Sequence, residues 1–122
     1  MALARDIMGG GTSAGQAKAI NGRVSSAVSA AGTTLATATA LDATHNRVTT
    51  VADGSGVRLF NGEIGDLMEV YNGGANQLLV YPHAAAGTIN QLSAGTGMVL
   101  AQYTCCTYRR ATSTAWIAHM SA

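Results

Sequence analysis

Val57 to Pro82 reads VRLFNGEIGDLMEVYNGGANQLLVYP, and the interpretation of this stretch decides the fold. Two apolar-rich runs, Asp66 to Tyr71 and Gln77 to Tyr81, flank Asn72-Gly73-Gly74-Ala75-Asn76. Asn and Gly tolerate the positive φ that hairpin loops need. Closed symmetrically, the loop sets Tyr71 opposite Gln77, Val70 opposite Leu78 and Met68 opposite Val80. The spacing therefore predicts a β-hairpin with four apolar side chains on one face and a mixed face, carrying Glu69 and Gln77, on the other. Leu67, Tyr71 and Tyr81 line that second face, which makes Tyr71 and Tyr81 candidate contacts with another subunit.

Working outward, Asn61-Gly62-Glu63-Ile64-Gly65 signals a turn before this hairpin. Arg47 to Ala52 and Val57 to Phe60 predict a second hairpin across Asp53-Gly54-Ser55-Gly56, with Ala52 facing Val57 and Thr50 facing Leu59. Thr33 to Leu41 alternates Leu35, Thr37, Thr39 and Leu41 against smaller residues, the pattern of a strand with one small face. Asp42 to Asn46 then reads as a turn. Pro82 has no N–H for a ladder and ends its strand. His83 to Gly97 is a long connection from which Ile89 and Leu92 are expected to dip into the core. Met98 to Tyr103, Thr104 to Arg110 and Ala115 to Met120 make the closing strands. About eight short strands at spacings of about 8–12 residues are the signature of an all-β sandwich or barrel.

Residues 1–31 differ from the β domain, 32–122, that follows. Ala17, Ile20, Val24 and Val28 recur at three or four residues, which permits a short helix over Gln16 to Ala31, although Gly22 interrupts it. The alternative is an extended arm that gains order against a partner. Leu3, Ile7, Met8, Ile20, Val24 and Val28 are its candidate partner-contact residues. On this reading the arm straps neighbouring subunits together, and Gly9 to Gly11 let it change direction.

The chain has 122 residues, of which 11% are charged, and 15 Gly. Soluble domains carry about 25% charge, so a surface partly covered by other protein is expected. A net charge of +1 argues against a nucleic-acid partner, because a phosphate-binding chain shows a basic stripe and here only Arg109-Arg110 is a basic pair. That pair reads as a solvated strand end or as the salt-bridge partner of a neighbouring subunit's carboxylate. Met1 to Met8 lack the continuous apolar core of a signal peptide, and no 18-residue apolar run exists, so synthesis in a cytoplasm and no membrane span are expected.

Motifs for chemistry are weak throughout. Gly10 to Lys18 resembles a phosphate loop only superficially, because Lys18 follows Gly15 by three residues and no hydrophobic strand precedes it. His45, His83 and His119 lack neighbours at metal-ligand spacing. Asp66 and Glu69, three apart on a strand, face opposite sides and do not form a carboxylate pair. Cys105 and Cys106 are adjacent and point to opposite faces of a strand, poorly placed to bridge. Trp116 reads as a core or inter-subunit anchor. No catalytic, cofactor or metal residues are therefore assigned, and the chain is not expected to be an enzyme.

Gly56 to Pro82, followed by Gly87 to Thr96 (GTINQLSAGT) and Thr114 to Ala118 (TAWIA), resembles a β-rich module common in virion proteins of tailed bacteriophages. These include capsid decoration (cement) proteins and head-fibre or tail-associated proteins. The resemblance runs from about Thr33 to the C-terminus and departs from the family at Tyr103 to Tyr108. It implies a small sandwich or barrel of jelly-roll type and a structural role on the capsid surface of the virion, with the major capsid protein as partner. A homo-oligomer, preferably a trimer, is expected with it. The second expectation is a fibre or tail-tip module that recognises a host-surface glycan.

Overall fold

Asp66 to Tyr81 forms two strands, but they do not pair with each other. A computed structural model of the protein describes residues 23–120. It places β5 (Leu67–Asn72) and β6 (Leu78–Tyr81) in different sheets. The same holds for the second expected hairpin, since β3 (His45–Thr50) and β4 (Gly56–Arg58) are also in separate sheets. The chain alternates between the two layers, and each return lays a strand beside the one before. β1 (Val24–Ser29), β3 and β5 run parallel in one sheet, while β2 (Thr39–Ala40), β4 and β6 run parallel in the other.

The second half of the chain closes this coil. β8 (Met98–Leu100) lies antiparallel to β6, and β9 (Cys105–Arg110) antiparallel to β5. β10 (Ala115–Met120) is antiparallel to β9, and β7 (Thr88–Ile89) lies parallel to β10 at the far edge. The six-stranded sheet thus runs β1-β3-β5-β9-β10-β7 and the four-stranded sheet β2-β4-β6-β8. All-β architecture is the outcome. Jelly-roll connections are antiparallel Greek keys, whereas β1 to β6 form a parallel coil of solenoid type.

A corner explains why Asn72 to Gln77 do not make a hairpin loop. Asn72 is fully buried; its Oδ1 accepts from Gly74 N (3.0 Å), and its Nδ2 donates to Asn76 O and Leu100 O (both 2.9 Å). Gly74 lies against Val51 of the preceding corner, where a Cβ would come within 2.5 Å of Val51 Cγ2. Asn76 Nδ2 and Gly73 N donate to the carbonyls of Val51 and Val48. Corner stacks on corner, and polar backbone that leaves one sheet is satisfied by the neighbouring coil.

The strand expected over Thr33–Leu41 shortens to Thr39–Ala40. Thr34 and Thr37 bond to each other through backbone and Oγ1 atoms and hold a turn. Threonine hydroxyls compete with ladder formation in this way. In the stretch 23–31, Val24–Ser29 are extended rather than helical, forming β1 along β3 with a bulge between Ser25 and Val28. Leu3, Ile7, Met8 and Ile20 lie outside the described residues.

Between the sheets sits one core that includes Val48, Val57, Met68, Val70, Leu78, Val80, Leu100 and Trp116. The expected quartet Met68, Val70, Leu78 and Val80 is wholly buried, contributed by facing layers rather than by one hairpin. Ile89 is buried as expected, but Leu92 is 38% exposed. It follows Ile89 in a turn closed by Leu92 N to Ile89 O, which carries it back to the surface.

Candidate functional site

Strand alternation puts every second residue of the larger sheet on its outer face. The registers join these residues into rows. One row runs Val24, His45, Glu69, Thr107 and His119; beside it lie Arg47, Tyr71 and Cys105 on one flank and Leu67, Arg109 and Ile117 on the other. Val24 is 69% exposed, Ile117 57% and Leu67 39%. Apolar side chains, two arginines, two histidines and the Glu69 carboxylate thus share a face about five strands wide.

Two shallow depressions mark the face. One, of about 330 Å³, is lined by Leu67, Thr107, Arg109, Ile117 and His119. The other, of about 350 Å³, is lined by Val24, His45, Asn46, Arg47, Glu69 and Tyr71. Each holds an arginine, a histidine and large apolar or aromatic surface. Glu69 lies between them, with its Oε1 3.8 Å from His45 Nδ1. Burial and the Glu69 carboxylate both push the Cys105 thiol up from its ordinary pKa. Cys106, one residue on, is buried in the core, and burial likewise raises its pKa.

Of the two expected tyrosine contacts, Tyr71 belongs to this face and is half-buried. Tyr81 does not. It is buried in the other sheet, its hydroxyl donating to Thr33 O at 3.1 Å and its ring filling the space beside Gly56, where a Cβ would come within 2.7 Å of it. The Arg109-Arg110 pair splits across the sheet, Arg109 outward and Arg110 inward. Leu67 is outward as its alternation predicts; Ile117 escapes sequence reading, because it joins Leu67 only once β9 is known to lie between β5 and β10.

Arg110 and His83 make a second polar cluster, at the closing end. The Arg110 guanidinium donates to Asn61 Oδ1 (2.9 Å), Gly62 O (2.7 Å) and Ser113 O (2.6 Å). Trp116 Nε1–H donates to His83 Nδ1 at 2.9 Å. Indole N–H is donor only, so His83 Nδ1 accepts here, while Arg110 Nη2 lies 3.2 Å from His83 Nε2 on the other side of the ring. Burial, then the positive charge of Arg110, holds the His83 pKa below its ordinary value, against the opposing effect of a hydrogen bond to the Ser113 backbone. The cluster ties three loops to β9 and β10. Its bonds hold these loops in place.

Among the described residues, no group of three or more His, Cys, Asp or Glu could hold a metal ion. No described helix is long and apolar enough to cross a membrane. The fold and its outer face define an all-β coil that presents a sheet surface of mixed apolar and charged residues. Compared with known proteins, the chain matches no family model, no curated protein and no solved structure.

Proposed function

We propose that this chain is a structural virion protein, a capsid decoration or cement protein that binds the outside of an assembled bacteriophage shell through the outer face of its larger sheet. One observation carries the reading beyond the sequence resemblance. Val24, Leu67 and Ile117 stand exposed on a single sheet face, interleaved with Arg47, Arg109, His45 and His119. Apolar anchors set among arginines suit a protein surface that bears carboxylates. The partner is the major capsid protein, and the oligomer is a trimer able to touch several capsid subunits at once. A protein that binds only the assembled shell stabilises it by its binding free energy, which takes an interface of about 1,000 Å² or more. The jelly-roll type of sandwich belongs to this resemblance; the parallel coil supplies the same two-layered wall by another connectivity.

Co-sedimentation with empty shells tests the proposal. The protein should pellet with shells in hundreds of copies, and Leu67→Asp with Ile117→Asp should abolish pelleting while the circular dichroism spectrum is retained. Undiminished pelleting of the double variant would exclude this face as the contact.

A second reading, recognition of a host-surface glycan by a fibre or tail-tip module, rests on Tyr103. Its ring is 67% exposed at a turn where its φ is +63°. Strained exposed residues concentrate at binding sites. Glycan binding lost in Tyr103→Ala, with a copy number of tens or fewer per virion, would favour it.

A further inference from the structure

The sequence contains Asn-Gly at positions 21, 61 and 72, and the last two lie among the described residues. In this dipeptide a backbone nitrogen with no side chain to shield it follows directly on a side-chain amide. The two sites are held in opposite ways. Asn72 is fully buried, its side-chain amide is bonded at both atoms, and Gly73 N donates to Val48 O at 2.8 Å. Asn61 is exposed, in the loop between β4 and β5. Among the described residues, Asn61 Nδ2 and Gly62 N make no hydrogen bond. What is held is the carbonyl end: Arg110 Nη1 donates to Asn61 Oδ1 at 2.9 Å and to Gly62 O at 2.7 Å. One guanidinium nitrogen thus clasps the side chain of residue 61 to the backbone of residue 62. Packing fixes glycine at 62, since a Cβ there would run into Asp66 Oδ2 and the Phe60 ring.

Arg110 has no carboxylate partner among the described residues. It is 7% exposed, and the groups around its guanidinium are Asn61 Oδ1, the carbonyls of Gly62 and Ser113, and the His83 ring. Its Nε has no hydrogen-bond partner. Asp66, on the same loop as Asn61, uses Oδ2 to accept from Glu63 N at 2.7 Å and forms no ion pair with Arg110. Buried charges are ordinarily paired, and a guanidinium bonds a carboxylate more strongly than an amide oxygen. An aspartate at 61 would set a carboxylate oxygen where Asn61 Oδ1 stands, with no change of side-chain shape.

We infer that Asn61 is a self-converting site, at which the folded protein turns its own asparagine into the aspartate that Arg110 is placed to hold. Gly62 N attacks Asn61 Cγ. The N–Cγ bond forms as the Cγ–Nδ2 bond breaks, and Nδ2 leaves as ammonia with the proton lost by Gly62 N. Arg110 Nη1 sits on the oxygen where negative charge develops, which is the place of an oxyanion-hole donor. Water then adds to the resulting cyclic imide. Opening at Cγ returns a proton to Gly62 N and leaves aspartate, whereas opening at the backbone carbonyl leaves isoaspartate. Arg110 polarises the Cγ carbonyl, so aspartate is the favoured product.

Peptide mapping of the full-length protein, incubated folded at mildly alkaline pH in water labelled with heavy oxygen, tests the inference. Mass spectrometry should find the label at 61 and not at 72, with aspartate in excess of isoaspartate at 61. An intact Asn61 in the folded protein, after the urea-unfolded chain has converted, would overturn it, and so would an excess of isoaspartate. Arg110→Lys keeps the charge without the planar fork and should slow conversion at 61 by about tenfold or more; an unchanged rate would also overturn it. Should that variant fail to fold, Asn61→Asp decides. Its unfolding midpoint should lie about 2 °C or more above that of freshly prepared protein. An equal or lower midpoint would show that the site favours the encoded asparagine and would overturn the inference.

Discussion

The coiled half, β1 to β6, and the closing half, β7 to β10, reach the same two-layered wall by different means. In the coil, each corner leans on the corner before it, and the buried groups are mostly Val, Leu and Met around the amide of Asn72. Repetition does the stabilising, because every return of the chain offers backbone partners to the last. The closing half has no next coil. It ends the stack with large rings, Tyr108 and Trp116, and with the Arg110–His83 cluster that fastens loops at residues 61–62, 83 and 113. A stacked wall is therefore cheap to extend and demanding to finish.

The largest expected effect probes the finish. Trp116→Ala should cost about 3–5 kcal/mol, since it opens a cavity and strips His83 of its donor. Leu78→Ala, in the coil, should cost about 2–4 kcal/mol. Urea titrations of both variants compare the halves directly, and a greater loss for Leu78→Ala would reverse the ranking.

Asn72→Ala comes next, at about 1–3 kcal/mol, because Gly74 N–H and the Leu100 carbonyl lose their partner inside the corner. Its m-value should stay unchanged if the corner holds the sheets without determining them.

Acid should act on the closing half first. The folded His83 pKa lies below the ordinary 6.5. Below pH about 6.5 the unfolded chain therefore binds a proton that the folded chain does not, and stability falls from there down towards the lowered folded value. Above that window the group contributes no slope. Unfolding midpoints at pH 7.5 and 5.5 should differ less in His83→Gln than in the unaltered protein.

The smallest effects lie on exposed positions. Tyr103→Gly should raise stability by about 0.5–1 kcal/mol by relieving a positive φ. Glu69→Ala should change it by less than about 0.5 kcal/mol, as outward-facing substitutions do.

Burial was readable in the sequence far more fully than connectivity. Period-two alternation correctly assigns Met68 and Val70, then Leu78 and Val80, to the core, and β10 spans the expected Ala115–Met120. Alternation reports which face a residue takes and says nothing about its neighbouring strand. Asn72 to Asn76 suit a hairpin loop and a sheet-to-sheet corner equally in composition. What separates them is a bond from Asn72 to Leu100, 28 residues away. The outer face was legible only in part for the same reason. Tyr71 stands out as an outward aromatic, but Tyr81 has the same parity and is buried in the other sheet.

The neighbouring cysteines carry a practical consequence. Cys105 lies on the outer face, and Cys106, the next residue, is sealed in the core. An alkylating reagent thus meets one thiol at the surface of the native protein and the other only when β9 leaves its sheet. The ratio of doubly to singly labelled chains, read by mass spectrometry, becomes a count of opening events at the strand that joins the coiled half to the closing half. No reporter group need be added, because the strand's own alternation supplies both the signal and its reference.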